Sequence, residues 1–179
     1  VDKLSWLNGR WLRETLDDDQ FADRVTQWAL NRDNLLKIIP LVKERVDVFS
    51  QLAPMISFFA EGMPELSPES FKVKNVEEED VKKILQFSLW RLEAQMLWER
   101  DPLNQLFVDL AESLGLKLRD VLAPIFVAIS GKPVAPPLFD SMAILGPDIC
   151  RARLRHAVNI LGGVSKKQVK RLEKEYKEL

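Results

Sequence analysis

Cysteine and histidine each occur once in this sequence, and glycine only seven times. The lone Cys150 excludes an internal disulfide framework and fits a reducing, cytoplasmic compartment. His156, six residues further on, falls nearly opposite Cys150 on a helix wheel, so the pair does not make a zinc site. The glycines are scattered, and neither a Walker loop nor a GxGxxG string appears, nor a Ser-His-Asp elbow. No window approaches the ~18 uninterrupted apolar residues of a membrane span, so a membrane is not an expected partner. The start, VDKLSWLNGRW, meets charge at once and lacks the apolar stretch of a secretory signal. It begins with Val1 rather than Met, from which we expect a cut or processed chain.

Of the 179 residues, 46% are apolar, enough for a buried core, and 30% are charged, which suits long solvated helices. The net charge of −1 hides an asymmetry. Residues 1–116 carry 14 basic and 21 acidic side chains (−7), and residues 117–179 carry 12 and 6 (+6). The second part can therefore meet an anionic partner, or its charges can simply be the solvated faces of surface helices.

Apolar residues recur at helical spacing nearly throughout. Leu4, Leu7, Trp11, Leu12 and Leu16 form one ladder, and Phe21, Val25, Trp28 and Ala29 form the next, with Asp19 as a possible cap. Asn31 or Asp33 opens a third helix, in which Pro40 predicts a kink or break. Residues 49–59 read as a short helix or irregular packed segment. Residues 60–76, with Gly62, Pro64 and Pro68, read as a loop or a seam between subdomains. A long helix follows, its stripe running from Val81 to Met96 and Leu97. Asp101 before Pro102 caps the next, which stops at Gly115. Residues 117–130 form a helix that Gly131 closes, and KPVAPP forms a stiff extended loop. Helices over 138–145 and from Pro147 to about Leu161 precede a last one, capped by Ser165, whose few apolar positions lead us to expect it exposed or frayed. The five tryptophans read as core or helix-packing residues. The expected fold class is all-α, two helical bundle subdomains packed in series, with residues 1–75 in the first and 76–179 in the second.

Two strings go further. KLSWLNGRWLRE (3–14) resembles the K-L-x-W-L-N-G-x-[YW]-[IL]-R segment of bacterial glutamyl-tRNA synthetases. KLRDVLAPIFVAISGKPVAPPLFDSMAILG (117–146) resembles a second segment of that family, in the same order and at a compatible distance. The resemblance implies a C-terminal region comprising the end of the stem-contact part and the helical anticodon-binding part. Its partner would be a glutamate-accepting tRNA, and it would act as a monomer in the cytoplasm. The family's H-I-G-H-type and K-M-S-K-type motifs are absent, which implies no catalytic residue and no cofactor or metal in this region. ATP and magnesium would serve the parent glutamate–tRNA ligase elsewhere.

The resemblance also assigns residues. Arg45, in LVKERVDVF, matches an arginine that reads the third anticodon base. A guanidinium offers two donors in a planar fork that fits O2 and N3 of cytosine. Guanine presents N1–H and N2–H there, and donors would face donors. The alternative is a surface arginine bonded to Glu44 or Asp47. Ala135, Pro136 and Leu138 match a loop that meets the first anticodon base, although Leu138 and Phe139 could instead be core residues opening a helix. Phe126 stands where many relatives carry an arginine, and it either stacks on a base or is buried. Lys117, Arg119, Lys132, Arg151 and Arg155 are candidates for RNA phosphates, as are Arg153, Lys166, Lys167 and Lys170, with solvated surface the equal alternative. A helical scaffold or adaptor that binds proteins through an apolar groove is the rival reading.

Overall fold

The computed structural model describes residues 2–28, 31–72, 76–132 and 135–179. Ala29 and the Pro133-Val134 part of the proline-rich loop lie outside them. Helices and 3-10 turns make up all the regular structure of the described residues, so the protein is all-α as the periodicity predicts. The helices are α1 (Asp2–Glu14), α2 (Asp18–Trp28), α3 (Arg32–Val42), α4 (Leu52–Ile56), α5 (Glu78–Ala94), α6 (Arg100–Leu114), α7 (Leu118–Ser130), α8 (Leu138–Leu145), α9 (Pro147–Ile160) and α10 (Lys166–Lys177).

The chain divides into compact units at Val1–Pro40 and Leu41–Leu179. The described part of residues 60–76, read from its prolines and glycine as a loop or a seam, belongs with the packed segment 49–59 to the second unit. Phe58 and Phe71 are buried in its core beside Leu85, Ile125 and Leu154. In that unit α5 packs on α9 and α7, and α6 packs on α7 and α8. Two glycines shape it. Gly115 ends α6 with φ of 64°. Gly131 ends α7 with φ of 61°, and a Cβ there would stand 2.6 Å from Cβ of Pro64, so this corner requires glycine twice over.

In the first unit the caps are local. Asp17, not Asp19, caps α2: its Oδ1 accepts from the Gln20 amide at 2.8 Å, and Gln20 Oε1 accepts from the Asp17 amide at 3.2 Å. Asn31 Oδ1 accepts from the amides of Asp33 and Asn34. The helix does not break at Pro40. It runs on to Val42 and tightens into a 3-10 turn, Lys43–Arg45.

Four further expectations change. Trp6, Trp11 and Trp28 are exposed, and no residue of α2 is buried: periodicity marks an apolar face without supplying its cover. The α5 stripe ends at Ala94, and Met96 and Leu97 stand in solvent beyond it. Glu99 precedes α6, which puts Asp101 inside the helix. Helix α10, poor in apolar residues, is nonetheless docked: Leu172 is buried, and the Tyr176 ring lies 5.2 Å from both Phe87 and Trp90.

Candidate nucleic-acid interface

Val42, the last residue of α3, is fully buried, and the 3-10 turn after it carries Arg45 out to the surface. Val46 and Val48 are extended, and a second turn, Phe49–Gln51, follows. The Gln51 side chain fixes this bend, its Oε1 accepting from the amides of Asp47 at 2.7 Å and Val48 at 3.4 Å. Arg45 is exposed, and among the described residues it pairs with neither Glu44 nor Asp47. Its Nη1 instead donates to the carbonyl of Ala135 at 3.3 Å, 90 residues away in sequence. The two segments that the sequence reading assigned to base contact thus meet in space.

The loop's own side chains are less open than that reading expects. Ala135 and Pro136 are buried, so the carbonyl of Ala135 is the group it presents to Arg45. Leu138 is half-buried at the first position of α8, and Phe139 packs on Phe107 with ring centroids 5.8 Å apart. Phe126 is half-buried against the core of α7 and its neighbours.

Among the basic candidates, Lys117 is exposed, and Arg119 reaches its neighbour Asp120 at 3.3 Å. Lys166, Lys167 and Lys170 are exposed, and no ion pair to them occurs among the described residues. Lys132 is engaged. Its Nζ lies 3.0 Å from Ser57 Oγ and 3.1 Å from Glu61 Oε1. The Ser57 hydroxyl beside Glu61 holds that carboxyl below its ordinary range, aided by Lys132 and opposed by partial burial. Arg151 and Arg155 share one face of α9, and that face turns to the end of α5. Nε and Nη2 of Arg151 donate to the Leu92 carbonyl at 3.1 and 2.8 Å, and its guanidinium lies 5.5 Å over the Trp98 ring. Arg155 pairs with Glu93 at 2.6 Å and stays half exposed.

Arg153 is fully buried and so cannot meet a phosphate. Its guanidinium donates to four carbonyls: Ile129 at 2.5 Å, Phe58 at 2.6 Å, Glu61 at 2.7 Å and Gly62 at 3.1 Å. Burial lowers its pKa, against the favourable fields of Cys150 and Glu61. Arg153 thereby ties the 58–62 bend to the last turn of α7, where the Gly131 corner begins. A signal for this was in the sequence: Arg153 sits on the same helical stripe as Cys150, Leu154 and Ala157. Ser57 and Glu61 gave no such signal, because their partner is more than 70 residues away.

No group of three or more metal-ligating side chains occurs among the described residues, and no helix is long and apolar enough to cross a membrane. Cys150 is buried, and burial pushes its thiol up to about 12, so it is not a nucleophile.

The family model described as "Anticodon binding domain" matches residues 20–158. Over its whole length the chain is 51% identical to the glutamate–tRNA ligase of Marinomonas sp. (strain MWYL1), covering 36% of that protein. It is 49% identical to the glutamate–tRNA ligase of Marinobacter nauticus, over 98% of the chain and 36% of that protein. The chain therefore spans about a third of the length of these relatives. A solved structure, a glutamate tRNA ligase from Elizabethkingia meningosepticum in complex with its amino acid, superposes with a TM-score of 0.63 at 22% identity. The match covers 89% of this chain and 32% of that one, and it bears on the fold alone.

Proposed function

The chain belongs to the anticodon binding domain family, and on that premise we propose that it reads the anticodon of a glutamate-accepting tRNA as part of a glutamate–tRNA ligase. The rest of such an enzyme would bind ATP with magnesium and join glutamate to the tRNA, and this region would contribute recognition without catalysis. It would do so as one copy, in the cytoplasm.

The observation that carries this reading is the contact between Arg45 and the Ala135 carbonyl. A guanidinium has five N–H donors, and this contact uses one. The carbonyl orients the group and leaves the fork of Nε and Nη2 for a base edge. A cytosine edge, with O2 and N3 side by side, accepts both hydrogen bonds. A guanine edge presents two donors and leaves all of them unpaired, a desolvation cost with nothing to offset it. Glutamate anticodons end in C and glutamine anticodons in G, so this one side chain can separate the two. Lys117 and the exposed lysines of α10 are the groups placed to add sequence-independent affinity through phosphates.

The test is competition between anticodon stem-loops ending in C and in G, at one fixed salt concentration, for the wild type, Arg45→Gln and Arg45→Ala. Loss of the bidentate contact is expected to remove roughly 1–3 kcal/mol of discrimination, by analogy with bidentate base readout in DNA. Arg45→Gln gains an acceptor and should tolerate guanine better than the wild type does. An unchanged C-over-G preference in all three proteins would rule out Arg45 as the reader.

A further inference from the structure

We propose that Phe49 is a stacking platform for an unpaired nucleotide beside the base that Arg45 reads, an inference that rests on the reading of Arg45 given above. Phe49 is 91% exposed. Every other aromatic side chain of Leu41–Leu179 is buried or half-buried among the described residues. Isolated apolar residues on a surface are ordinary, so exposure alone does not make a site. The address of Phe49 does.

Phe49 lies four residues beyond Arg45, across a stretch that includes the extended Val46 and Val48, which places the two Cα atoms at most ~14 Å apart. That is the reach of a few stacked bases at about 3.4 Å each. The ring is also held by a fixed support. Gln51 locks the bend through the amides of Asp47 and Val48, and its own amide donates to the Val48 carbonyl at 3.0 Å. The exposed Val48 widens the apolar surface. An aromatic ring on a pinned turn loses little entropy when a base settles on it.

The division of labour follows from the chemistry. Phenylalanine has no donor or acceptor and reads no base edge, but every base has a π-face for it. Arg45 would therefore select the base, and Phe49 would hold its neighbour out of the loop's own stack. Stacking involves no phosphate, so its contribution does not vary with counterion release.

The experiment uses the full chain and a glutamate anticodon stem-loop with 2-aminopurine on the 3′ side of the third anticodon base. Affinity and fluorescence are read for the wild type, Phe49→Ala, Phe49→Leu and Phe49→Trp across a range of salt, with far-UV circular dichroism confirming the fold. Phe49→Ala should lose about five- to tenfold in affinity, the lower end of base–aromatic stacking, and should lose the fluorescence change on binding. Phe49→Leu should recover only part, and Phe49→Trp should recover all. The slope of log K against log salt and the C-over-G preference should stay as in the wild type. Full recovery by leucine, or a changed salt slope in Phe49→Ala, would overturn stacking as the mechanism. Wild-type affinity in Phe49→Ala, with Arg45→Gln still altering base preference, would overturn the platform alone. If neither substitution has an effect, the reading of Arg45 fails with it.

Discussion

In Val1–Pro40 the side chains of Leu4, Trp6, Leu7, Trp11, Phe21 and Trp28 all stand in solvent, and Ile38 is the only buried residue among those described. In Leu41–Leu179, Phe87, Phe107, Leu110, Ile125 and Leu154 have no exposed surface at all. Both regions have helical apolar spacing, so the pattern that specifies a helix does not by itself supply a surface to cover its apolar face. The first unit is held by local devices: the Asp17–Gln20 and Asn31 caps and the Arg10–Glu14 pair at 2.7 Å. Each such device contributes about 1 kcal/mol or less. The second unit is held by burial between elements distant in sequence, where one side chain can decide several kcal/mol.

The largest effect that follows is at Arg153. Replacing it with alanine leaves the carbonyls of Phe58, Glu61, Gly62 and Ile129 without their shared donor and opens a hole in the core. We expect a loss of roughly 3–5 kcal/mol, typical of removing one member of a buried charged network. Urea denaturation followed by tryptophan fluorescence and by circular dichroism would measure it. A loss under 1 kcal/mol would mean that the 58–62 bend stands without the arginine and that the second unit is less interdependent than its burial implies.

Next in size is a matched pair of leucines. Leu110→Ala in α6 removes a side chain with no exposed surface and should cost about 2–5 kcal/mol. Leu7→Ala in α1 removes one that is 47% exposed, and alanine is the better helix former, so the change should stay within about 0.5 kcal/mol. Equal costs at the two positions would erase the contrast between the units.

The sequence carries the long helices well, the short turns of 49–71 less so, and the tertiary burial unevenly. Gly115 and Gly131 announce the ends of α6 and α7, and Ser165 announces the start of α10, because caps are local chemistry. Asp19 and Asp101 each mislead by two residues: the α2 cap falls to Asp17, and α6 already begins at Arg100, after a Glu99 whose side chain makes no cap hydrogen bond. The exposed tryptophans mislead further, because periodicity marks an apolar face without showing what covers it. At the candidate interface, family resemblance assigns Arg45 and the 135–138 segment to different bases of one anticodon, but the hydrogen bond from Arg45 to the Ala135 carbonyl appears only in the fold. The Lys132–Glu61–Ser57 cluster was not, since only folding brings it together. Arg151 and Arg155 looked free because a helix wheel shows which residues share a face but not where that face points.

The smallest expected effect concerns that cluster and takes its sign from Glu61. Hydrogen bonding from Ser57 and the neighbouring Lys132 hold the Glu61 carboxyl below its ordinary value of about 4.5. A carboxyl with a depressed folded-state pKa binds fewer protons folded than unfolded, so it adds stability above the unfolded value and loses it as pH falls through the folded one. The Glu61 side chain is 40% exposed, and solvent screening keeps the contribution under about 1 kcal/mol. Glu61→Gln preserves the shape and removes the titration. Near pH 7 the variant should be slightly less stable than the wild type, and the difference should shrink below about pH 4.5 and vanish once Glu61 is protonated. Urea midpoints of the two proteins from pH 7 to pH 3 provide the measurement. A constant difference across that range would mean that the carboxylate charge does not hold the 57–61 bend against Lys132, and that Arg153 alone ties this part of the second unit to the Gly131 corner.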